Sequence, residues 1–228
     1  MASFKRKIYN VFHPVVGEIW MLHRVVEHLS NVPEQQNLET TVIWLEQKIL
    51  EYRSKGYTFV SIDNLAIPNA KKWACITFDD GYRDNYTLAY PLLKRLGVPF
   101  TVYVTTGFID NQLPMWWYPG QRLGISKEEL LALDVDPLCT IGAHTVSHSK
   151  LDTLTRAQQY QEIAQSKQTL EALLGHEIRH FSFPHGAHNE DTLAICRELG
   201  FKTVVQSWGG KLRRGELPIP LPRIEIKQ

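Results

Sequence analysis

Short apolar, β-branched runs alternate with amphipathic stretches along most of the chain. Strands are predicted where apolar residues stand together, as in 73–78 (WACITF) and 100–105 (FTVYVT). Helices are predicted where apolar residues recur every three or four positions and glycine follows, as in 38–56 and 155–174. This alternation predicts a parallel sheet covered by helices, in one domain that spans residues 1–228.

The remaining elements follow the same alternation. Further extended pieces are predicted within 18–26 and at 59–62, 140–143, 181–183, 203–205 and 223–226. Further helices are predicted at 83–96, at 189–199 and from Ser126, where Ser-Lys-Glu-Glu is typical of a capping box. In parallel α/β folds the functional side chains follow the carboxyl ends of strands, whether the sheet is open or closed into a barrel.

Composition indicates an ordinary soluble globular protein, with 228 residues, 43% hydrophobic and 21% charged. The net charge of +1 gives no basis for binding nucleic acid or an anionic membrane. No apolar run reaches the roughly 18 residues of a membrane span, and none of signal length follows the basic residues 1–10. We therefore expect a cytoplasmic protein. Cys75, Cys139 and Cys196 stand in apolar contexts and are predicted to be small buried side chains.

Polar side chains cluster at the ends of three predicted strands. Asp79 and Asp80 follow one, His144 and His148 follow another, and His23 ends the first. Alone, an Asp-Asp pair is more often a solvated turn, and a His-x-x-x-His pair is more often surface or core. Together, at the same edge of a sheet, they favour a site that holds a cation, since adjacent carboxylates otherwise repel each other.

Imidazole nitrogen and carboxylate oxygen are a common ligand set for Zn²⁺ and other divalent transition metals. His144 and His148 lie four residues apart, so both rings can reach one ion. Asp80 is the simplest third ligand, which leaves Asp79 free beside the ion. Two histidines and one carboxylate leave positions open for water and substrate, as in catalytic sites. We expect Zn²⁺, with Co²⁺, Ni²⁺ or Mn²⁺ as alternatives.

Three segments together resemble a known family: ITFDDGY (76–82), IGAHTVSH (141–148) and FSFPHG (181–186). They look like the first three motifs of the polysaccharide deacetylases, carbohydrate esterase family 4 or NodB-homology domains, and the resemblance extends over about residues 19–226. It implies a distorted (β/α)₇ TIM-like barrel and metal-dependent removal of acetyl groups from glycans. It also implies that Asp79 is the catalytic base and that the metal ligands are Asp80, His144 and His148.

The third motif departs from the family pattern, with Ser182 in place of an arginine and His185 in place of a tyrosine. The resemblance implies that the backbone N–H at this tyrosine position helps to hold the oxyanion, and any residue other than proline supplies that group. His185 is therefore predicted at the oxyanion, with a loop imidazole beside the cleft as the alternative. Pro184 and Tyr82, which match motif positions, are predicted beside the substrate.

The usual carboxy-terminal Leu-x-His motif, which supplies the catalytic acid, is absent from the tail LPRIEIKQ. The segment WMLHRV resembles a permuted subgroup in which this histidine comes from the first strand, a neighbour of the last in a barrel. His23 is thus predicted to be the acid, with a core histidine as the alternative. Arg223 is predicted to orient Asp79 in place of the missing arginine.

The predicted function is removal of acetyl groups, most simply N-acetyl, from a polysaccharide, oligosaccharide or glycan precursor. Trp116, within the aromatic stretch 115–118, suits stacking on a sugar ring, although aromatic side chains are as often core. An O-acetyl esterase and an inactive carbohydrate-binding homologue stay as alternatives, the latter favoured by the altered third motif. No Gly-x-Ser-x-Gly elbow, phosphate loop or dinucleotide turn supports another reaction.

Overall fold

The computed structural model describes residues 15–65, 72–213 and 218–228. Eleven β-strands occur within these ranges. They are β1 (Val15–Leu22), β2 (Arg24–Val26), β3 (Glu39–Thr41), β4 (Thr58–Phe59), β5 (Trp73–Phe78), β6 (Phe100–Val104), β7 (Cys139–Ala143), β8 (His180–Ser182), β9 (Thr203–Gly209), β10 (Leu212–Arg213) and β11 (Leu221–Glu225).

Seven of these strands close into a parallel barrel in the order β1, β11, β9, β8, β7, β6, β5, because β5 also pairs with β1. The short β4 extends the sheet beside β5, and β10 lies antiparallel to β1. A separate parallel pair is formed by β2 and β3. The predicted seven-stranded α/β barrel is confirmed, and its first and last barrel strands, β1 and β11, are neighbours.

Helices surround the barrel. The α-helices of the described residues are Pro33–Gln36, Val42–Ser54, Tyr90–Leu96, Lys127–Asp134, Arg156–Leu174 and Glu190–Glu198. One π-helical segment, Asn85–Ala89, precedes the third, and short 3₁₀ turns lie at Ile62–Asn64, Thr106–Asn111, Leu151–Thr153 and Pro184–Gly186.

Alternation along the strands divides the apolar residues into two layers. Trp20 and Ile76 pack in the large core between barrel and helices, whereas Ile19 and Cys75 fill the barrel interior. Toward the carboxyl ends of the strands, polar residues such as Thr77 replace these apolar ones inside the barrel. The site is therefore built on top of a packed core.

Two predicted helices differ from their patterns, one in its start and the other in its continuity. Residues 39–41 of the predicted helix 38–56 pair instead with β2, and the helix starts at Val42, where the Thr41 hydroxyl accepts the Trp44 N–H at 3.3 Å. The predicted helix 83–96 divides into a π-helical and an α-helical part, because Pro91 has no N–H to donate within a continuous helix. The predicted capping box at Ser126 is confirmed.

Cys75, Cys139 and Cys196 are buried and free, as predicted. Among the described residues, no helix combines the length and the apolar character that spanning a bilayer requires. Residues 1–10 lie outside the described ranges. The cytoplasmic location and the extent of the domain over residues 1–228 therefore stay predictions.

Candidate active site

The parallel pairing of β1 with β5 places the carboxyl ends of these two strands side by side. Their register runs in parallel to Leu22 opposite Phe78, and the Asp79 N–H donates to the Leu22 carbonyl at 2.9 Å. His23 directly follows β1, and Asp79 directly follows β5. Because both strands run in the same direction, the two residues emerge at the same edge of the barrel.

Asp80, His144 and His148 converge at this edge, with one ligand atom of each within 4.8 Å of the others. The Asp80 Oδ1 atom lies 3.4 Å from His144 Nε2 and 3.1 Å from His148 Nε2. His144 Nδ1 lies 2.8 Å from the Ser182 carbonyl oxygen, which can only accept, so Nδ1 carries the hydrogen. In neutral His144 the lone pair of Nε2 therefore faces the carboxylate.

This geometry fits a bound cation. Asp80 Oδ1 is buried without a hydrogen-bond donor, and in neutral His144 the nearby Nε2 is a second acceptor. Two acceptors that face each other repel unless a cation lies between them. Burial raises the pKa of the Asp80 carboxyl, but positive charge at His148 and hydrogens donated by the two imidazoles outweigh this and hold its pKa well below the ordinary value; a bound cation would supply the positive charge when the rings are neutral. Two nitrogens and one ionised oxygen suit Zn²⁺ and related divalent metals.

The loops that carry these ligands hold strained backbone conformations. Left-handed φ angles occur at Asp80 (74°), Thr145 (66°), His148 (61°) and His185 (57°). Each such conformation outside glycine costs about 1–3 kcal/mol and persists only where the surroundings enforce it. Four of them around one cleft indicate that the loops are held in place for the site.

Glu162, on the helix Arg156–Leu174, holds the loop that presents the two imidazoles. Its carboxylate accepts the N–H groups of Val146 and Ser147, both at 2.9 Å. Within the loop, the Thr145 hydroxyl accepts the His148 N–H at 3.0 Å. Glu162 stands in a helix without any motif around it, so sequence reasoning gave no signal for this contact.

Arg223 contacts Asp79 through both ends of its guanidinium, at 2.7 Å to Oδ1 and 2.6 Å to Oδ2. The guanidinium is fully buried, and its five N–H groups all have acceptors. The three remaining acceptors are the Thr77 hydroxyl, the Ser182 hydroxyl and the Gln206 carbonyl. Burial raises the pKa of Asp79, but Arg223 outweighs it, so the pKa lies below the ordinary value.

A cleft of about 370 Å³ opens above these groups. It is lined by Met21, His23, Leu38, Asp79, Asp80, Trp116, Trp117, His144, His148, His185 and Ser207. The structure thus brings together the predicted base, the predicted acid and the three predicted ligands, with Arg223 directly beneath Asp79. Leu38 and Ser207 carried no motif signal in the sequence, and Met21 was marked only through its place in the segment WMLHRV.

His23 is half-buried in the cleft wall, between β1 and β2. Burial lowers the pKa of its imidazole, and the Asp80 and Asp79 carboxylates oppose this lowering only in part. His185 lines the cleft beside His148, with ring centroids 4.6 Å apart. Burial and the His148 ring lower the pKa of His185 to about 4, so its side chain is neutral near pH 7.

The four predicted substrate residues divide into two pairs. His185 and Trp116 line the cleft, and Trp116 is 72% exposed. Tyr82 and Pro184 are buried and lie behind it. The Tyr82 hydroxyl accepts the Trp117 indole N–H at 2.6 Å, so Tyr82 supports the aromatic wall of the cleft from behind.

Comparison with known proteins identifies the family to which this chain belongs. The sequence pattern of the family described as polysaccharide deacetylase matches residues 66–204. This match covers more than half of the chain, and the chain belongs to that family.

The Bacillus subtilis (strain 168) protein YxkH, named as a polysaccharide deacetylase, is 30% identical over 213 residues, which cover 93% of this chain and 72% of YxkH. A Staphylococcus aureus poly-β-1,6-N-acetyl-D-glucosamine N-deacetylase is 25% identical over 189 residues, 74% of this chain and 58% of that enzyme.

Two solved structures show the same fold. The Streptococcus pyogenes deacetylase PplD, in complex with acetate, superposes with a TM-score of 0.77 at 27% identity and covers 94% of this chain and 93% of its own. IcaB from Ammonifex degensii superposes with a TM-score of 0.77 at 22% identity, over 93% of this chain and 92% of its own.

Proposed function

We propose that this protein is a metal-dependent deacetylase that hydrolyses acetyl groups, in the first place N-acetyl groups of amino sugars in a glycan. The observation that carries the proposal is the cleft in which Asp79 and His23 flank the cluster of Asp80, His144 and His148. Two relatives support the substrate class. One is named for N-deacetylation of poly-β-1,6-N-acetyl-D-glucosamine, and another was solved with acetate, the product of such a reaction.

Asp80, His144 and His148 are the proposed ligands of a divalent ion, with Zn²⁺ as first choice and Co²⁺, Ni²⁺ or Mn²⁺ as alternatives. When bound, such an ion polarises a carbonyl oxygen and lowers the pKa of water. Asp80 is fitted to this role because its carboxyl is held in the ionised form.

Asp79 is the proposed general base. Its lowered pKa keeps the carboxylate ionised near pH 7, ready to accept a proton from a water molecule in the cleft. Arg223 contacts both carboxylate oxygens and so fixes the plane of the group. Because Oδ2 also accepts the Ser182 hydroxyl at 3.3 Å, the second lone pair of Oδ1 is the one available to the water.

The backbone N–H of His185 is the proposed donor to the tetrahedral oxyanion. The residue lines the cleft at a left-handed φ of 57°, between a buried proline and Gly186. A donor fixed in this way needs no reorganisation when charge develops on the oxygen. The neutral imidazole of His185 adds no charge to the site.

His23 is the proposed general acid. An amine leaves poorly as an anion, so cleavage of an amide requires a proton on the departing nitrogen. His23 lies in the cleft wall level with Asp79, and the two adjacent carboxylates favour its protonated form against the effect of burial. Protonated His23 then transfers its proton to the sugar nitrogen.

The alternative of an inactive carbohydrate-binding homologue is weakened by Arg223. That alternative arose because Ser182 stands where many relatives have an arginine. In this fold the guanidinium comes from β11, and Ser182 accepts one of its N–H groups at 2.9 Å. The carboxylate of Asp79 therefore has its partner although the motif position has changed.

Removal of metal tests the proposed function directly. Purified protein is expected to release acetate from β-1,6-linked N-acetylglucosamine oligomers, to lose this activity on dialysis against a chelator and to regain it with Zn²⁺, Co²⁺, Ni²⁺ or Mn²⁺. Enzymatic determination of acetate gives the rate. Unchanged acetate release after complete removal of metal contradicts the metal requirement, and no release from any acetylated glycan by the metal-loaded protein supports the binding homologue.

Trp116 gives a second test, of the substrate class. Its exposed indole in the cleft is expected to stack on a sugar ring, so Trp116→Ala should raise KM for an oligosaccharide about threefold to tenfold while kcat stays near the wild-type value. Steady-state kinetics of acetate release measures both constants. Trp44→Ala, in the outer helix Val42–Ser54, is the matched control, and equal KM values for both variants would contradict the stacking role.

A further inference from the structure

We propose that Asp84 and Asn85 form a backbone clamp that positions His23 for proton transfer. This inference rests on the acid role proposed for His23. Both residues follow the Asp79-Asp80 pair within the segment DDGYRDN, so one short stretch of chain carries the base, a metal ligand and the clamp.

The clamp contacts three successive residues that follow β1. The side-chain amide of Asn85 donates to the His23 carbonyl at 2.8 Å. Asp84 Oδ1 accepts the Val25 N–H at 3.0 Å, and Asp84 Oδ2 accepts the Arg24 Nε–H at 2.7 Å. Two adjacent side chains therefore fix the chain at and just after His23.

These contacts matter because His23 belongs to no strand. It lies between β1 and β2. In the peptide that follows it, the Arg24 N–H donates to the Leu38 carbonyl at 2.9 Å, while the His23 carbonyl has the Asn85 amide as its donor. On its amino-terminal side, the Leu22 carbonyl accepts the Asp79 N–H. Hydrogen bonds from residues 79–85 thus hold His23 from both sides, so the clamp fixes the acid relative to the base.

Arg24 shows how the clamp directs His23 into the cleft. Its guanidinium ion-pairs with Asp84 and with Glu39 and lies 4.9 Å from the ring centre of Tyr118. Arg24 is absent from the cleft lining, whereas His23 is part of it. Anchoring of Arg24 in the wall restricts the turn of chain that presents the preceding residue, His23.

Packing does not explain why an asparagine occupies position 85. It is completely buried, and its Oδ1 atom has no hydrogen-bond donor among the described residues. An unsatisfied buried oxygen costs about 1–3 kcal/mol, which an apolar side chain of the same size would avoid. The amide is explained by what its NH₂ group donates to, which is the His23 carbonyl at 2.8 Å and, at the longer distance of 3.5 Å, Asp84 Oδ1.

The test compares two leaving groups. Asn85→Leu removes both the donor and the unsatisfied oxygen while it keeps the number and branching of the side-chain heavy atoms, so we expect it to fold. An N-acetylglucosamine oligomer needs a proton on its leaving amine, whereas 4-nitrophenyl acetate releases 4-nitrophenolate without one. Asn85→Leu should lower kcat/KM for the oligomer about 10-fold to 100-fold and change that for the ester less than about threefold.

His23→Ala is the reference for loss of the acid and should show the same selectivity, with a larger effect on the oligomer. Thr101→Val is the matched control, since it also removes a buried, unpartnered oxygen from the barrel, at a distance in sequence from the clamp. Both activities of Thr101→Val should equal those of the wild type. Zinc content and the unfolding midpoint are measured for every variant, and Asn85→Ala replaces Asn85→Leu if that variant does not fold.

The outcomes separate the clamp from the acid. Selective loss in both His23→Ala and Asn85→Leu supports the clamp. If His23→Ala loses activity selectively but Asn85→Leu loses both activities equally or loses neither, the clamp is overturned and the acid role stays intact. No selectivity in His23→Ala overturns the acid role and the clamp with it.

Discussion

Asp80→Asn is expected to lower the affinity for Zn²⁺ by at least about a hundredfold and to abolish acetate release at micromolar metal. The substitution keeps the shape of the side chain and removes the carboxylate that faces His144 and His148. An amide oxygen carries no charge to offset that of a divalent ion. Calorimetric titration with Zn²⁺ and elemental analysis after gel filtration measure the loss without reference to activity.

Thermal unfolding gives an independent readout of the same substitution. Zn²⁺ at 100 times its dissociation constant should stabilise the wild type by about 2.7 kcal/mol, and Asp80→Asn should lose most of this increment. Without metal, Asp80→Asn also removes the interaction with the His148 and His144 imidazoles that lowers the pKa of Asp80, so the unfolding of both metal-free proteins is measured and only the increment added by Zn²⁺ is compared. Asp152→Asn, an exposed aspartate in the turn Leu151–Thr153, is the control. One equivalent of tightly bound Zn²⁺ in Asp80→Asn would show that the ligand set is wrong.

Much of the barrel follows from local patterns in the sequence. The run 73–78 is a strand with the predicted bounds, and the polar residues directly after it lie at the carboxyl edge as expected. Closure of the sheet depends on pairing between residues far apart in the chain, above all β1 with β5. Local hydrophobic patterns do not encode such pairing, and the resemblance to a family supplied it.

The aromatic stretch 115–118 shows where residue type fails as a guide. Sequence alone left stacking on a sugar and burial in the core open for the three aromatic residues of this stretch. Met115 and Tyr118 are buried, Trp116 is exposed in the cleft, and Trp117 is held by Tyr82. Aromatic side chains suit both environments, and tertiary packing decides which of them are buried and which line the cleft.

The third motif shows how a departure from a pattern is compensated in space. Ser182 stands where a guanidinium is usual, and sequence suggested Arg223 as the replacement only by elimination. In the structure the short Ser182 side chain leaves room for the guanidinium that enters from β11 and accepts one of its hydrogens. In the sequence, Ser182 and Arg223 are two separate departures from the family pattern. They are related only in the folded protein, where Ser182 at the end of β8 and Arg223 on β11 both contact the Asp79 carboxylate.

Arg223→Met is expected to destabilise the protein by about 3–5 kcal/mol near pH 7 and to lower kcat at least about a hundredfold. The guanidinium is buried and contacts both oxygens of Asp79, so its loss leaves a buried carboxylate with the Ser182 hydroxyl as its remaining partner. Burial then raises the pKa of Asp79, which Arg223 lowers in the wild type. The base is both misplaced and protonated over a wider pH range.

The pH dependence of unfolding tests this explanation. The folded-state pKa of Asp79 lies below its ordinary value of 3.8, so the ion pair stabilises the wild type above about pH 4, and this contribution is lost as the pH falls through the folded pKa. In Arg223→Met the carboxyl becomes protonated at higher pH, which relieves its burial cost. The difference in free energy of unfolding between the two proteins should therefore narrow from pH 7 to pH 4 in urea titrations.

The double variant Asp79→Leu with Arg223→Met separates the ion pair from the packing of the barrel. Replacement of both partners by apolar side chains removes the unpaired charge, so the double variant should recover most of the stability that Arg223→Met loses while acetate release stays absent. Arg223→Lys, which keeps the charge and loses the paired contact, should fall between the wild type and Arg223→Met in stability. The result that contradicts this explanation has two parts. The difference in free energy of unfolding between the wild type and Arg223→Met would stay constant from pH 7 to pH 4, and the double variant would recover no stability. Arg223 would then act through packing and not through the charge of Asp79.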